Sequence, residues 1–183
     1  LFTATSAVCV TGLVINDTAT YWSLFGQGAI LLLIQIGGMG IITIAIAIAV
    51  VSGRKIGLMQ RSTMQEAISA PTVGGIVRRT QFIIRTTILI EIIGAALLAP
   101  VFCRDFGFWK GIWYSLFHSI SAFCNAGFDL IGIRTPFSSL TSYSVQPIVN
   151  LVIMMLIIAG GIGFLTWEDI KNRKWHFKKY RMQ

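Results

Sequence analysis

The sequence has 183 residues, 55% of them hydrophobic and only 12% charged, with a formal net charge of +8. A soluble domain carries roughly 45–50% apolar and about 25% charged residues, so an ordinary water-soluble fold is excluded. Three cysteines (Cys9, Cys103, Cys124) without metal-ligand spacing exclude a disulfide framework and a zinc module.

The chain starts at Leu1 with no initiator Met and no signal-peptide pattern, which reads as a fragment lacking its own beginning. Residues 1–8 are expected to close a short helix that runs into Ser6-Ala7-Val8-Cys9-Val10-Thr11-Gly12-Leu13. A polar connection over residues 13–21 follows, outside the membrane, with Tyr21 and Trp22 placed as an interfacial aromatic belt. No Asp, Glu, Lys or Arg occurs from Thr18 to Gly53, and a bilayer core needs roughly 20 apolar residues in a helix. The spacing predicts a span from about Leu24 through Gly37-Gly38-Met39-Gly40 to about Val50. Glycines at that depth predict close helix contacts; a dinucleotide-binding turn would need a preceding strand, which the pattern lacks.

Residues 52–80 read as a cytoplasmic connection, with an amphipathic helix through Leu58, Met59, Gln65 and Ala67 broken near Pro71 and loosened at Gly74-Gly75. A second span is expected from about Val77 to Ala99, stopped by Pro100, with residues 103–110 as the outer connection. A third lies within the charge-free run Thr135–Trp167, near residues 147–167, followed by a basic tail. Arg54, Lys55, Arg61, Arg78 and Arg79 precede the second span, and Lys171, Arg173, Lys174, Lys178, Lys179 and Arg181 follow the last. Only Arg104, Lys110 and Arg134 fall in the other loops, so eleven cations against three place both clusters in the cytoplasm. The tail is read as orienting the chain and meeting lipid headgroups, not as binding nucleic acid.

Gly111–Phe128 also carries no charged residue. If it crossed the membrane, the last span would carry the basic tail outside. A re-entrant segment keeps the tail inside. A helix over Trp113–Phe123 spans about 16 Å at 1.5 Å per residue, half a bilayer. Non-helical backbone at that depth is tolerated only where protein or a water-filled cavity surrounds it.

The first signature recurs 115 residues on as Ser121-Ala122-Phe123-Cys124-Asn125-Ala126-Gly127-Phe128. Each copy is followed by a second echo, Gly37-Gly38-Met39-Gly40-Ile41-Ile42-Thr43 and Gly160-Gly161-Ile162-Gly163-Phe164-Leu165-Thr166. Gly12 to Gly37 is 25 residues and Gly127 to Gly160 is 33, an eight-residue insertion in the second unit. The expected organisation is a first unit at 1–51, a cytoplasmic connection at 52–80, a second unit at 81–167 and a basic tail at 168–183.

A helix followed by an extended Gly-containing segment suits a dehydrated monovalent cation. Backbone carbonyls supply several oxygen ligands without burying a counter-charge, and the helix C-terminus aims partial negative charge at the ion. The candidate ion-binding residues are Cys9, Val10, Thr11 and Gly12 with Cys124, Asn125, Ala126 and Gly127. The two glycines suit a conformation closed to other residues. Asp17 and Asp129 are either charges that draw cations to the mouth or solvated turn residues. Cys9 and Cys124 occupy matched positions, as small packable residues or as a redox or metal pair. His118, Cys124 and Asp129 do not make a catalytic triad, since the matched positions hold Thr3, Cys9 and Val14. Glu91, inside a span, is either functional or bonded to a polar backbone group.

Both signatures and the Gly-Gly-x-Gly-x-x-Thr patches resemble the Trk/Ktr/HKT superfamily of potassium transporters, closest to the bacterial Ktr-type membrane subunit. The resemblance rests on Phe2–Leu13 and Phe117–Asp129 and covers essentially the whole chain. It implies an all-α membrane protein of repeated span–re-entrant pore helix/filter–span units. These are pseudo-fourfold in the full-length protein, with about two units present here. It further implies a multi-pass plasma-membrane protein taking up potassium, with sodium as a candidate coupling ion. No enzymatic activity and no nucleotide on this chain are expected. The expected partners are the bilayer, the remainder of the same chain, a second copy in a homodimer and a cytoplasmic nucleotide-binding ring subunit. A membrane anchor or assembly protein with Gly-rich contact faces and no transport is the alternative reading.

Overall fold

A computed structural model describes residues 1–40, 76–133, 135–163 and 166–167. Among these the regular elements are all helical: α1 Phe2–Val8, α2 Thr18–Tyr21, α3 Leu24–Met39, α4 Ile76–Phe106, α5 Phe108–Phe123 and α6 Pro147–Gly161. Two 3₁₀ turns, Ile131–Ile133 and Ser139–Tyr143, lie between α5 and α6. The amphipathic helix expected within 52–80, the far half of the first span, Arg134 and the tail lie outside the described residues.

The chain divides into two compact units, Leu1–Gly38 with Ile88–Gly161, and Met39–Thr87 with Ile162–Gln183. In the second, the described stretch of α4 buries Thr80, Ile83 and Thr87. The first contains both copies of the signature.

Polarity in the first unit is reversed relative to a soluble domain. Helix α4 exposes Ile88, Leu89, Ile92, Ile93 and Leu97 while Glu91 is buried. Helix α3 exposes Leu24, Phe25 and Leu32 and buries Gln27; α6 exposes Ile148, Leu151, Met154, Met155 and Ile158. Large apolar side chains facing out over several turns find a favourable surrounding in lipid or against further protein. Among the described residues one helix, Thr80–Phe106 within α4, is long and apolar enough to cross a bilayer; α3 and α6 are shorter apolar helices.

Three boundaries differ from expectation. Helix α4 does not stop before Pro100 but runs on to Phe106. Proline within a helix forfeits one backbone bond, and the buried side of α4 continues across it through Leu98 and Phe102. The connection shrinks to one residue, Gly107, whose φ of 81° turns the chain straight into α5. Helix α5 therefore begins at Phe108, five residues before the expected Trp113. Helix α6 ends at Gly161, short of the expected 167, where Gly163 (φ 89°) takes the left-handed conformation that ends helices.

Helix α5 doubles back along α4. Gly111 lies so close to the Cys103 backbone that a β-carbon there would collide with it. The rings of Phe106 and Tyr114 are 4.9 Å apart and those of Phe102 and His118 5.2 Å. Deeper still, the Ser119 hydroxyl donates to the Glu91 carbonyl over 2.7 Å. The contacts run down α4 as they run up the numbering of α5, the geometry of a helix returning beside the one before it.

Candidate functional site

Both copies of the signature close a helix in the same way. Val10 N–H donates to Ala7 O (3.2 Å) and Thr11 N–H to Ser6 O (3.0 Å). The matched bonds in the second copy are Asn125 N–H to Ala122 O (3.1 Å) and Ala126 N–H to Ser121 O (2.8 Å). This crossed pair of bonds around one left-handed residue is the Schellman motif. The left-handed residues are Val10 (φ 55°) and Asn125 (φ 57°), followed two positions on by Gly12 (φ 72°) and Gly127 (φ 73°). The repeat seen in the letters is thus a repeat in backbone angles.

Past each helix end, the carbonyls of Cys9 to Gly12 and of Cys124 to Gly127 accept no hydrogen bond among the described residues. Cys9, Thr11, Asn125 and Gly127 are exposed, so these carbonyls can be reached from outside the protein. The two loops also meet. A β-carbon at Gly12 would lie 2.6 Å from Ala126 O and 3.3 Å from Gly127 Cα; one at Gly127 would lie 3.5 Å from Gly12 Cα.

The second echo seats the first. A β-carbon at Gly37 would collide with Val8 O, and one at Gly160 would collide with Phe123 O. Val8 and Phe123 are matched positions, each just before the cysteine. Gly38 in turn faces the Cys124 side chain. Glycines here were expected to bring helices together, and Gly37 and Gly160 each admit the last residue of a signature helix.

Side-chain supports differ between copies. The Ser6 and Thr11 hydroxyls bond each other at 2.8 Å, while Ser121 donates to Phe128 O at 2.6 Å. His118 is buried, its Nδ1 bonded to Tyr114 O (2.7 Å) and its Nε2 accepting from Leu130 N–H (3.3 Å). It ties the outgoing chain back to α5 and holds no catalytic partner. Asp17 is buried: its carboxylate caps α2 by accepting from Thr20 and reaches across to accept Phe137 N–H at 3.2 Å. Asp129 accepts Ile131 N–H within its own turn at 3.1 Å. Cys9 is exposed and Cys124 buried, both as free thiols. No cluster of three or more His, Cys, Asp and Glu able to hold a metal exists among the described residues.

Sequence reading overlooked the amides. Gln27 accepts from Trp113 Nε1–H at 2.9 Å, and Gln35 donates to both carboxylate oxygens of Glu91 at 2.9 and 3.1 Å. The available signal was that both are polar residues inside a run without charge.

A family model described as TrkH, cation transport protein, matches residues 1–182. The chain belongs to that family. It is 44% identical over 170 residues to potassium/sodium uptake protein NtpJ of Enterococcus hirae, covering 93% of this chain and 37% of that protein. It is 46% identical over 183 residues to Ktr system potassium uptake protein B of Bacillus subtilis, covering 100% of this chain and 40% of the relative. The protein of that name in Vibrio alginolyticus is 35% identical over 170 residues, 93% of this chain and 36% of its own length. The chain therefore spans under half the length of each of these relatives. It is a membrane protein of a cation-transport family, and its described elements are helical.

Proposed function

We propose that this chain is part of a potassium-uptake protein, and that its two signature loops are two strands of the ion-selective filter. One observation carries the reading. Two loops of identical backbone form leave consecutive carbonyls unbonded and meet at Gly12 and Gly127. A potassium ion entering such a site exchanges its water shell for carbonyl oxygens. The C-terminal ends of α1 and α5 add partial negative charge from behind the loops. The candidate ligands are the carbonyls of Cys9, Val10, Thr11 and Gly12 and of Cys124, Asn125, Ala126 and Gly127. Two strands enclose only part of an ion, so the remaining ligands come from further units of the full-length protein, arranged pseudo-fourfold. Asp17, with its carboxylate committed to Thr20 and Phe137, shapes the mouth; Asp129 is the better placed of the two to attract cations.

In this reading α5 is re-entrant, residues 52–80 and the tail from Lys171 face the cytoplasm, and residues 1–51 and 81–167 are the two units. The basic inner segments would dock a regulatory ring subunit that binds the nucleotide itself, with a second copy of the protein completing a dimer; relatives named for a Ktr system favour such partners. Sodium as coupling ion fits the name of the Enterococcus relative. Impermeant labelling of single cysteines at positions 110 and 134 in full-length protein tests the arrangement. Both should label from outside. Labelling from opposite sides would make Gly111–Phe128 a crossing span, and the filter reading would fall.

A further inference from the structure

We propose that Glu91 is held in its span as a neutral carboxylic acid paired with the amide of Gln35, and that this pair positions the second filter loop. Glu91 is 4% exposed and its carboxyl has one partner among the described residues, the Gln35 nitrogen, 2.9 Å from one oxygen and 3.1 Å from the other. The Gln35 oxygen is itself buried and unpartnered. A carboxylate accepts only, so it leaves that oxygen without a donor, an expensive arrangement away from water. A carboxylic acid removes the conflict: its O–H donates to the amide oxygen while the amide N–H donates to the acid's other oxygen. A modest turn of the amide achieves this, and every polar atom is then served.

Among the described residues the surroundings offer no counter-charge. Helices α3 (Leu24–Met39) and α6 (Pro147–Gly161) contain no titratable residue. On α5 the nearby groups are the Cys124 thiol, at its end, and His118, whose nitrogens are committed to Tyr114 O and Leu130 N. The flanking cations on α4 itself are Arg85 and Arg104, six and thirteen residues away. A buried charge without a partner is far costlier than a neutral, hydrogen-bonded acid.

The pair touches the filter by two routes. Ser119, five residues before Cys124, hangs from the Glu91 carbonyl (2.7 Å), and Gly94 makes room for Ser119 and for Leu156. Gln35 belongs to the helix whose Gly38 seats Cys124. Glu91 is therefore a positioning residue. Its effect on transport rests on the filter reading; its protonation does not. The test compares full-length wild type with Glu91→Gln by infrared difference spectroscopy near neutral pH, together with potassium and sodium uptake. The expected spectrum shows the carbonyl stretch of a protonated carboxyl in wild type and its loss in Glu91→Gln. Uptake should stay within about twofold in Glu91→Gln, which keeps a neutral hydrogen-bonding pair, and fall about tenfold with poorer sodium rejection in Glu91→Leu or Gln35→Leu. A carboxylate band in place of the acid band overturns the proposal, as does Glu91→Gln impaired as deeply as Glu91→Leu. Should the leucine variants fail to insert, the infrared comparison still decides. Unaltered selectivity in filter-glycine variants beside an intact acid band would sink the filter reading alone.

Discussion

The two signature loops share a backbone and almost nothing else. Each ends its helix with the same crossed bonds, turns at a left-handed residue and turns again at a left-handed glycine. Around the first loop, support is local: the Thr11 hydroxyl bonds the Ser6 hydroxyl and donates to the Ser6 carbonyl. Around the second it is distributed, through Ser121 to Phe128, His118 to Leu130 and a helix of 16 residues buried along most of its inner side. What the repeat retains is the path of the carbonyls. The side chains that enforce the path have been free to differ, as expected if the backbone oxygens are the functional groups.

If that is so, changes that alter the shared geometry should hurt equally in both copies. Gly37→Ala and Gly160→Ala place a β-carbon into the carbonyl before each cysteine. Neither backbone can retreat without moving its loop, so each should cost several-fold to tenfold or more in uptake by full-length protein at matched expression. Overpacking of this kind typically costs about 1–3 kcal/mol. A severe loss in one copy with a silent change in the other would break the equivalence.

Gly12 and Gly127 sharpen the comparison because their surroundings are unequal. Serine at either must hold a conformation that costs about 1–3 kcal/mol. At Gly12 the new β-carbon also meets Ala126 O at 2.6 Å, whereas at Gly127 the nearest atom is an ordinary contact at 3.5 Å. Gly12→Ser should therefore weaken potassium affinity and sodium rejection more than Gly127→Ser, by about another tenfold if the clash adds 1.4 kcal/mol. Potassium and sodium uptake kinetics of the two full-length variants measure this. Equal defects would mean that strain alone matters, and unaltered selectivity in both would remove the glycines from the filter.

Much of this was legible in the letters because glycine and small residues at fixed spacing leave few backbone solutions. The paired signatures, the helix before each and the positions of Gly12 and Gly127 follow from that. The boundary at Pro100 was misread because proline is a stop signal only when nothing else holds the helix, and Leu98 and Phe102 bury the same side across it. Asp17 was left open between a mouth charge and a solvated turn residue because one of its donors, the Phe137 amide, is 120 residues away. Gln35 and Glu91 are 56 residues apart, so neither announces the other. Long-range polar pairs are invisible to periodicity; local backbone geometry is not.

The smallest effect concerns the left-handed residue that closes each helix. In the second loop it is Asn125, a residue type that tolerates this conformation; in the first it is Val10, a β-branched residue for which a φ of 55° is an outlier. Valine stays because something holds it, and its Cγ2 lies against Gly37, 3.1 Å from where a β-carbon would stand. Two contributions therefore oppose each other in Val10→Asn. Relief of backbone strain stabilises by about 1 kcal/mol or slightly more, while the lost methyl contact costs less than burying a whole valine, since Val10 is only half-buried. Strain should win narrowly. Val10→Asn is expected to raise the thermal midpoint of full-length protein in detergent by a small margin and to leave uptake unchanged, because the carbonyl path is kept. The exchange Asn125→Val should lower the midpoint, since it imports the strain and removes the Asn125 Nδ2 bonds to Phe123 O and Ile157 O. If Val10→Asn lowers the midpoint instead, the methyl contact outweighs the strain, and the first loop is held from outside by α3 more firmly than its own hydrogen bonds suggest.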